Sequence, residues 1–116
     1  MDSKRKIIFF QGYFKEFYNP LNAKLKEKLD SILFLIQIAD RIPTKFFKHM
    51  TGTDGLFEIR IEYQSNIYRV FCCFDEGNLV VLFNGFQKKS QKTPNQEIEK
   101  ALKIKAEYFE TKRSTK

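Results

Sequence analysis

Two arginines and three lysines in this sequence are of the right type to act together on a phosphate. Arg60 closes the run Glu58-Ile59-Arg60, and Arg69 lies in Tyr68-Arg69-Val70-Phe71. Lys88, Lys89 and Lys92 sit in NGFQKKSQKTPNQE, residues 84–97. Cleavage of RNA by its own 2′-hydroxyl has three needs. That hydroxyl must lose a proton, the leaving 5′-oxygen must gain one, and charge on the phosphorane must be stabilised. Arg and Lys supply the stabilisation, about 2–4 kcal/mol per well-placed donor. A lysine crowded by other cations has a lowered pKa and can take the proton. No metal is required, because the nucleophile is already in the substrate. Arg60, Arg69, Lys88, Lys89 and Lys92 are therefore the candidate catalytic residues. Glu58, Asn84, Lys48 and His49 are candidate RNA contacts around them.

Other chemistries fit the sequence less well. A two-metal nuclease needs a tight carboxylate cluster. Glu58 and Glu62 share a strand face, but Arg60 stands between them. His49 is the only histidine, so a histidine pair is ruled out and no zinc site is expected. Tyr63, Tyr68 and Tyr108 can stack on bases or donate a proton, although Tyr63 and Tyr68 fall on the expected core face. Cys72 and Cys73 are adjacent in a strand pattern, so they point to opposite faces and do not bridge. Reduced thiols fit a cytoplasmic setting.

The elements that must position these groups read as follows. Residues 6–12 form a short strand, and Tyr13 to Tyr18 a helical turn. Asn19-Pro20 signals a helix start. Leu25, Leu29, Ile32, Leu33, Ile36 and Ala39 make a helical stripe from Leu21 to about Ile42, apolar nearly all round after Ser31 and ended by Pro43. Thr44 to Met50 is a basic aromatic connector. Three strand patterns follow: Leu56–Tyr63, Asn66–Phe74 and Asn78–Phe86, turning at Gln64-Ser65 and Glu76-Gly77. Thr93 as N-cap, Pro94 at N1 and Gln96 at N3 open a last helix. From about Thr111 the tail is expected to fray.

Two even-numbered hairpin loops would place Arg60 opposite Arg69, and Arg69 opposite Asn84. One face then carries Phe57, Ile59, Ile61, Tyr63, Tyr68, Val70, Cys72, Phe74, Leu79, Val81 and Phe83, a surface for a helix pair. The other carries Glu58, Arg60, Glu62, Arg69 and Asn84, with Phe71, Cys73, Val80 and Leu82 at its far end. A one-residue slip would bury Arg69 among apolar groups at a cost of about several kcal/mol. Arginines directly opposite repel, so neighbouring glutamates or a bound phosphate must offset them. The N-terminus of the last helix, with Lys92 beside it, is expected to add its positive dipole end to the same edge.

The 116-residue chain is one domain with its own core. Its net charge of +7 favours polyanionic partners. No run of about 18 apolar residues predicts a membrane span. The runs GTDGLFEIRIEY, NIYRVFCCFD and NLVVLFNGFQKKSQKTPNQEIEKA resemble the HigB-type, phage-derived branch of the RelE/ParE toxin superfamily over residues 44–110. The resemblance implies an α+β fold: a small antiparallel-rich sheet with two N-terminal helices on one face, and a C-terminal helix. It also implies a type II toxin that enters the ribosomal A site and cuts messenger RNA without a metal or cofactor, in the cytoplasm. A HigA-like helix-turn-helix antitoxin is the implied partner. Arg60, Arg69 and the lysines at 88, 89 and 92 match the family's motif positions. A ParE-like gyrase inhibitor, or a non-toxic phage-derived nucleic-acid-binding protein, would share the fold.

Overall fold

A computed structural model describes residues 3–89 and 93–114. The order is β1 (Lys6–Phe9), α1 (Tyr13–Tyr18), α2 (Ala23–Ile38), β2 (Phe47–His49), β3 (Phe57–Tyr63), β4 (Asn66–Asp75), β5 (Leu79–Lys88) and α3 (Asn95–Ser114). The strands form one mixed sheet in the order β1-β5-β4-β3-β2. β1 runs parallel to β5, and every other pair is antiparallel. This is the expected α+β fold, with two N-terminal helices and a C-terminal one.

The two faces of the sheet carry separate cores. α2 presents Leu25, Leu29, Ile32, Leu33 and Ile36 at helical spacing, all buried. With Phe14 of α1 they pack on Ile59, Ile61, Val70, Cys72, Val80 and Leu82. On the opposite face α3 lays Ala101, Ile104 and Tyr108 against Leu56, Phe71, Cys73, Val81 and Phe83. Cys72 and Cys73 thus face opposite ways as unpaired thiols.

Helix ends differ from the sequence reading for local reasons. α2 starts after Asn22, whose side chain accepts from the Leu25 N–H at 2.9 Å. It stops at Ala39, before Pro43, because Arg5 takes over its last carbonyls. Arg5 Nη1 donates to Ile36 O at 2.9 Å and to Ala39 O at 2.7 Å. Phe34 lies on the outward side of α2 and is 55% exposed, so that half of the helix is not buried all round. α3 begins one residue late: the Pro94 carbonyl accepts from Glu97 N and Ile98 N, which puts Pro94 in the capping position.

The far end of α3 holds firm past Thr111. Tyr108 donates its hydroxyl to buried Asp75 at 2.7 Å, and Lys112 Nζ lies 2.8 Å from the same oxygen. Burial works against the Asp75 carboxylate. The hydrogen bonds from Lys112 and Tyr108 outweigh it and hold its pKa below the ordinary value.

Register supports part of the strand reading and corrects the rest. Gln64 and Ser65 both take positive φ, 49° and 66°, as a two-residue hairpin turn requires. Arg60 accordingly pairs with Arg69. The second hairpin has an odd loop: Asp75 pairs with Leu79, leaving Glu76, Gly77 and Asn78 between them. Val80 and Leu82 therefore join the α1–α2 face, while Val81 and Phe83 join the α3 face. The shift between Val70 and Cys72 then sets Phe83 and Asn84 against Phe71 alone, a β-bulge in β5. Arg69 faces Phe86, not Asn84.

Past the bulge, Gly85 turns toward α1. A Cβ at this position would lie 2.6 Å from the Phe17 ring. Gly85→Ala is expected to lower stability by about 1–3 kcal/mol through overpacking. Denaturant melts check this, and Phe17→Leu in the same chain should restore part of the loss.

Candidate nucleic-acid interface

The β3–β4 turn and the end of β5 enclose a cleft of about 630 Å³, lined by Arg60, Glu62, Ser65, Asn66, Ile67, Arg69, Lys88 and Lys89. Alternation places Arg60 and Arg69 on the α3 side of the sheet, at the end that α3 does not cover. Lys88 arrives there because β5 runs on two residues beyond the expected Phe86 and pairs Lys88 with Ile67. Four of the five candidate catalytic residues thus share one cleft. Lys92 lies outside the described residues.

The groups are graded by depth. Arg69 is 3% exposed and forms the floor. Arg60 and Lys88 are half-buried on the walls, and Lys89 is exposed at the rim. Burial lowers the Arg69 pKa, the attraction of Glu58 opposes that, and Arg60 adds to it. Burial also lowers the pKa of Lys88, reinforced by Arg69 and Arg60, with Glu58 pulling the other way. A wall lysine with a weakened hold on its proton is what general-base work requires.

Glu58 resolves the repulsion between the paired arginines. Its Oε1 lies 3.5 Å from Arg60 Nε and 3.6 Å from Arg69 Nε. Both distances are longer than a hydrogen bond, so the link is ionic. Glu58 is 5% exposed and is absent from the cleft lining, so it acts beneath the arginines and is placed to orient them. Arg69 is further fixed by Nη1, which donates to Tyr68 O at 3.1 Å.

The remaining candidates separate. Asn84 is 2% exposed, and its Nδ2 and Oδ1 have no hydrogen-bond partner among the described residues. It lies at the bulge and does not line the cleft. Lys48 pairs with Glu58 on β2, and its exposed side chain is on the arginine face. His49 pairs with Phe57, packs edge-on to that ring and meets Thr53 O at 3.2 Å. It belongs to the opposite face and is not part of the cleft. β2 itself falls inside the segment read as a connector.

Tyr63 and Tyr68 pack against the α1–α2 core, as expected. Tyr108 is bound to Asp75, six residues along β4 from Arg69, about 20 Å at strand rise. Burial and the Asp75 contact push its pKa up to about 12. The first turn of α3 also lies elsewhere: Gln96, Glu97, Glu99 and Lys100 line a hollow with Tyr13. No described α3 residue lines the basic cleft, so the helix N-terminus does not supply the expected dipole end there.

Sequence reasoning missed the hairpin tip. Ser65, Asn66 and Ile67 overhang the cleft, with Asn66 Oδ1 accepting from Gln87 Nε2 at 3.3 Å. The signal was available, because a tight turn between Arg60 and Arg69 must sit beside them. Among the described residues, no group of three or more His, Cys, Asp or Glu side chains could hold a metal ion. No helix is long and apolar enough to cross a membrane, again among the described residues.

A family model described as phage-derived protein Gp49-like matches residues 16–106. That span contains every residue lining the cleft. A comparison with curated proteins finds no match.

Proposed function

Because the chain belongs to the family of phage-derived Gp49-like proteins, a RelE-like, toxin-type family in general, we propose that it is the toxin of a type II toxin–antitoxin pair. In this reading it is a HigB-like, metal-independent endoribonuclease of translated messenger RNA, acting in the cytoplasm at the ribosomal A site. A HigA-like helix-turn-helix antitoxin silences it by covering the cleft.

The observation that carries the reading is the convergence of Arg60, Arg69, Lys88 and Lys89 on one cleft. A scissile phosphate seated there meets guanidinium charge already held in place by Glu58. Lys88, once neutral, takes the proton from the 2′-hydroxyl. The 2′-oxygen attacks phosphorus, and the P–O5′ bond breaks as the 5′-oxygen takes a proton from the ammonium-rich rim. The products are a 2′,3′-cyclic phosphate and a 5′-hydroxyl end. The arginines stabilise charge that grows in the transition state, which makes preorganised donors effective.

Cut-site mapping on messenger RNA in a bacterial translation extract tests the proposal. The expected result is translation arrest, with cuts confined to translated reading frames and 5′-hydroxyl ends at each cut. DNA-damage signalling with messenger RNA left intact would replace this reading with the ParE-like one.

A further inference from the structure

Arg60 and Glu62 line two hollows. Besides the basic cleft there is a smaller one of about 280 Å³, lined by Lys28, Lys45, Phe46, Arg60 and Glu62. The short β2 is its cause. The β2–β3 ladder ends where Phe47 pairs with Ile59, and the last link is Arg60 N–H donating to Phe46 O at 2.8 Å. Beyond it β3 has no strand on that side among the described residues. The open edge lets the side chains of Arg60 and Glu62 reach the cleft on one side and the hollow on the other. α2 supplies exposed Lys28, and the residue before Phe46 supplies exposed Lys45.

We propose that this hollow is a second subsite for single-stranded RNA, adjoining the basic cleft and taking the nucleotide next to the scissile phosphate. The proposal rests on the reading of the cleft as an RNA site. One side of the Phe46 ring packs against the α1–α2 core, yet the residue is only partly buried. Its accessible ring holds the Lys45 ammonium, 4.9 Å from the ring centroid. Such a contact is weak at an exposed site. A base can take its place on the ring, and the ammonium then meets the adjoining phosphate.

Stacking on an aromatic ring beside cations is how proteins hold single strands with little sequence preference. Three cations face one carboxylate here. Glu62 repels phosphate, which places the backbone on the lysine side and leaves Glu62 for a donor such as a ribose 2′-hydroxyl or a base amino group. Arg60, common to both hollows, lies between the two successive phosphates.

Fluorescence anisotropy with a 2′-O-methylated single-stranded 12-mer tests the subsite without cleavage, because the nucleophile is blocked. Phe46→Leu is expected to weaken binding about tenfold, the lower part of the range for loss of one stacked base. Phe46→Tyr, which keeps the ring, should bind as the parent does, and a denaturant melt of Phe46→Leu shows whether its loss of binding reflects lost packing of the core instead. Lys28→Ala with Lys45→Ala should reduce the slope of log affinity against log salt by about 1.4, two phosphate contacts on a single strand. Unchanged affinity for a folded Phe46→Leu protein, or no binding by the parent at low salt, overturns the subsite. Cleavage on programmed ribosomes separates the two ideas. If Arg69→Ala abolishes cutting while Phe46→Leu changes neither cutting nor binding, the cleft reading stands and the subsite falls.

Discussion

Arg69→Ala is expected to lower messenger RNA cleavage by about 10²–10³-fold, the loss associated with one preorganised donor at a transition state. Arg69 is the floor of the cleft and its most buried cation. Desolvation makes its charge effective and also makes the substitution risky for folding. Removing it leaves Glu58 buried with Arg60 as its one remaining ion-pair partner among the described residues. Breaking a buried pair costs about 3–5 kcal/mol when nothing replaces the partner, and the retained Arg60 should keep the loss below that range. The control is Glu58→Gln combined with Arg69→Ala, which removes the orphaned charge. The double variant should regain stability in a denaturant melt and stay inactive in cleavage. A well-folded Arg69→Ala protein that still arrests translation would end the catalytic reading of this residue.

Lys88 should give the second large effect, legible in the pH profile. General-base work needs its neutral form. Burial and the neighbouring Arg69 and Arg60 lower its pKa, so the neutral fraction at any pH below the ordinary lysine value is enlarged. The cleavage rate should therefore rise with pH and level off below that ordinary value of 10.5. Lys88→Ala should reduce the rate by about 10²–10⁴-fold and flatten the rise. Arg69→Gln removes a repelling charge, raises the Lys88 pKa, and should move the levelling-off point to higher pH in whatever activity remains. The measurement is single-turnover cleavage on programmed ribosomes across pH. A Lys88→Ala profile parallel to that of the parent would assign the base elsewhere.

The local features of this site were easier to read than the long-range ones. Arg60 opposite Arg69 follows from two residues between two strands, and the burial penalty for Arg69 excluded the slipped register. That a neighbouring glutamate could offset the repulsion was legible for the same reason, since Glu58 and Glu62 both share a face with Arg60 two positions away. The sequence did not choose between them; the ion pairs are made by Glu58. Asn84 was misplaced because one error lay upstream of it, in the loop, and the other at Asn84 itself, in the bulge. A three-residue loop and a bulge each move β5 against β4, and neither has a strong signal in Asp75-Glu76-Gly77-Asn78 or Phe83-Asn84-Gly85. β2 is three residues long and carries two polar side chains, too short for alternation to register. The end of α2 depended on Arg5, more than thirty positions earlier in the chain. The line of the α3 axis, and hence where its first turn points, was set by packing on Phe71 and Phe83 rather than by its own cap residues.

The lengths of the outer strands have a consequence for solubility. β1 has four residues and β2 three, against seven to ten for the strands between them. Each outer strand carries a lysine, Lys6 or Lys48. A row of free backbone donors and acceptors invites a foreign strand to add on, and brevity with charge is how sheets refuse it. Among the described residues the sheet therefore offers no long flat border from which a fibre could grow.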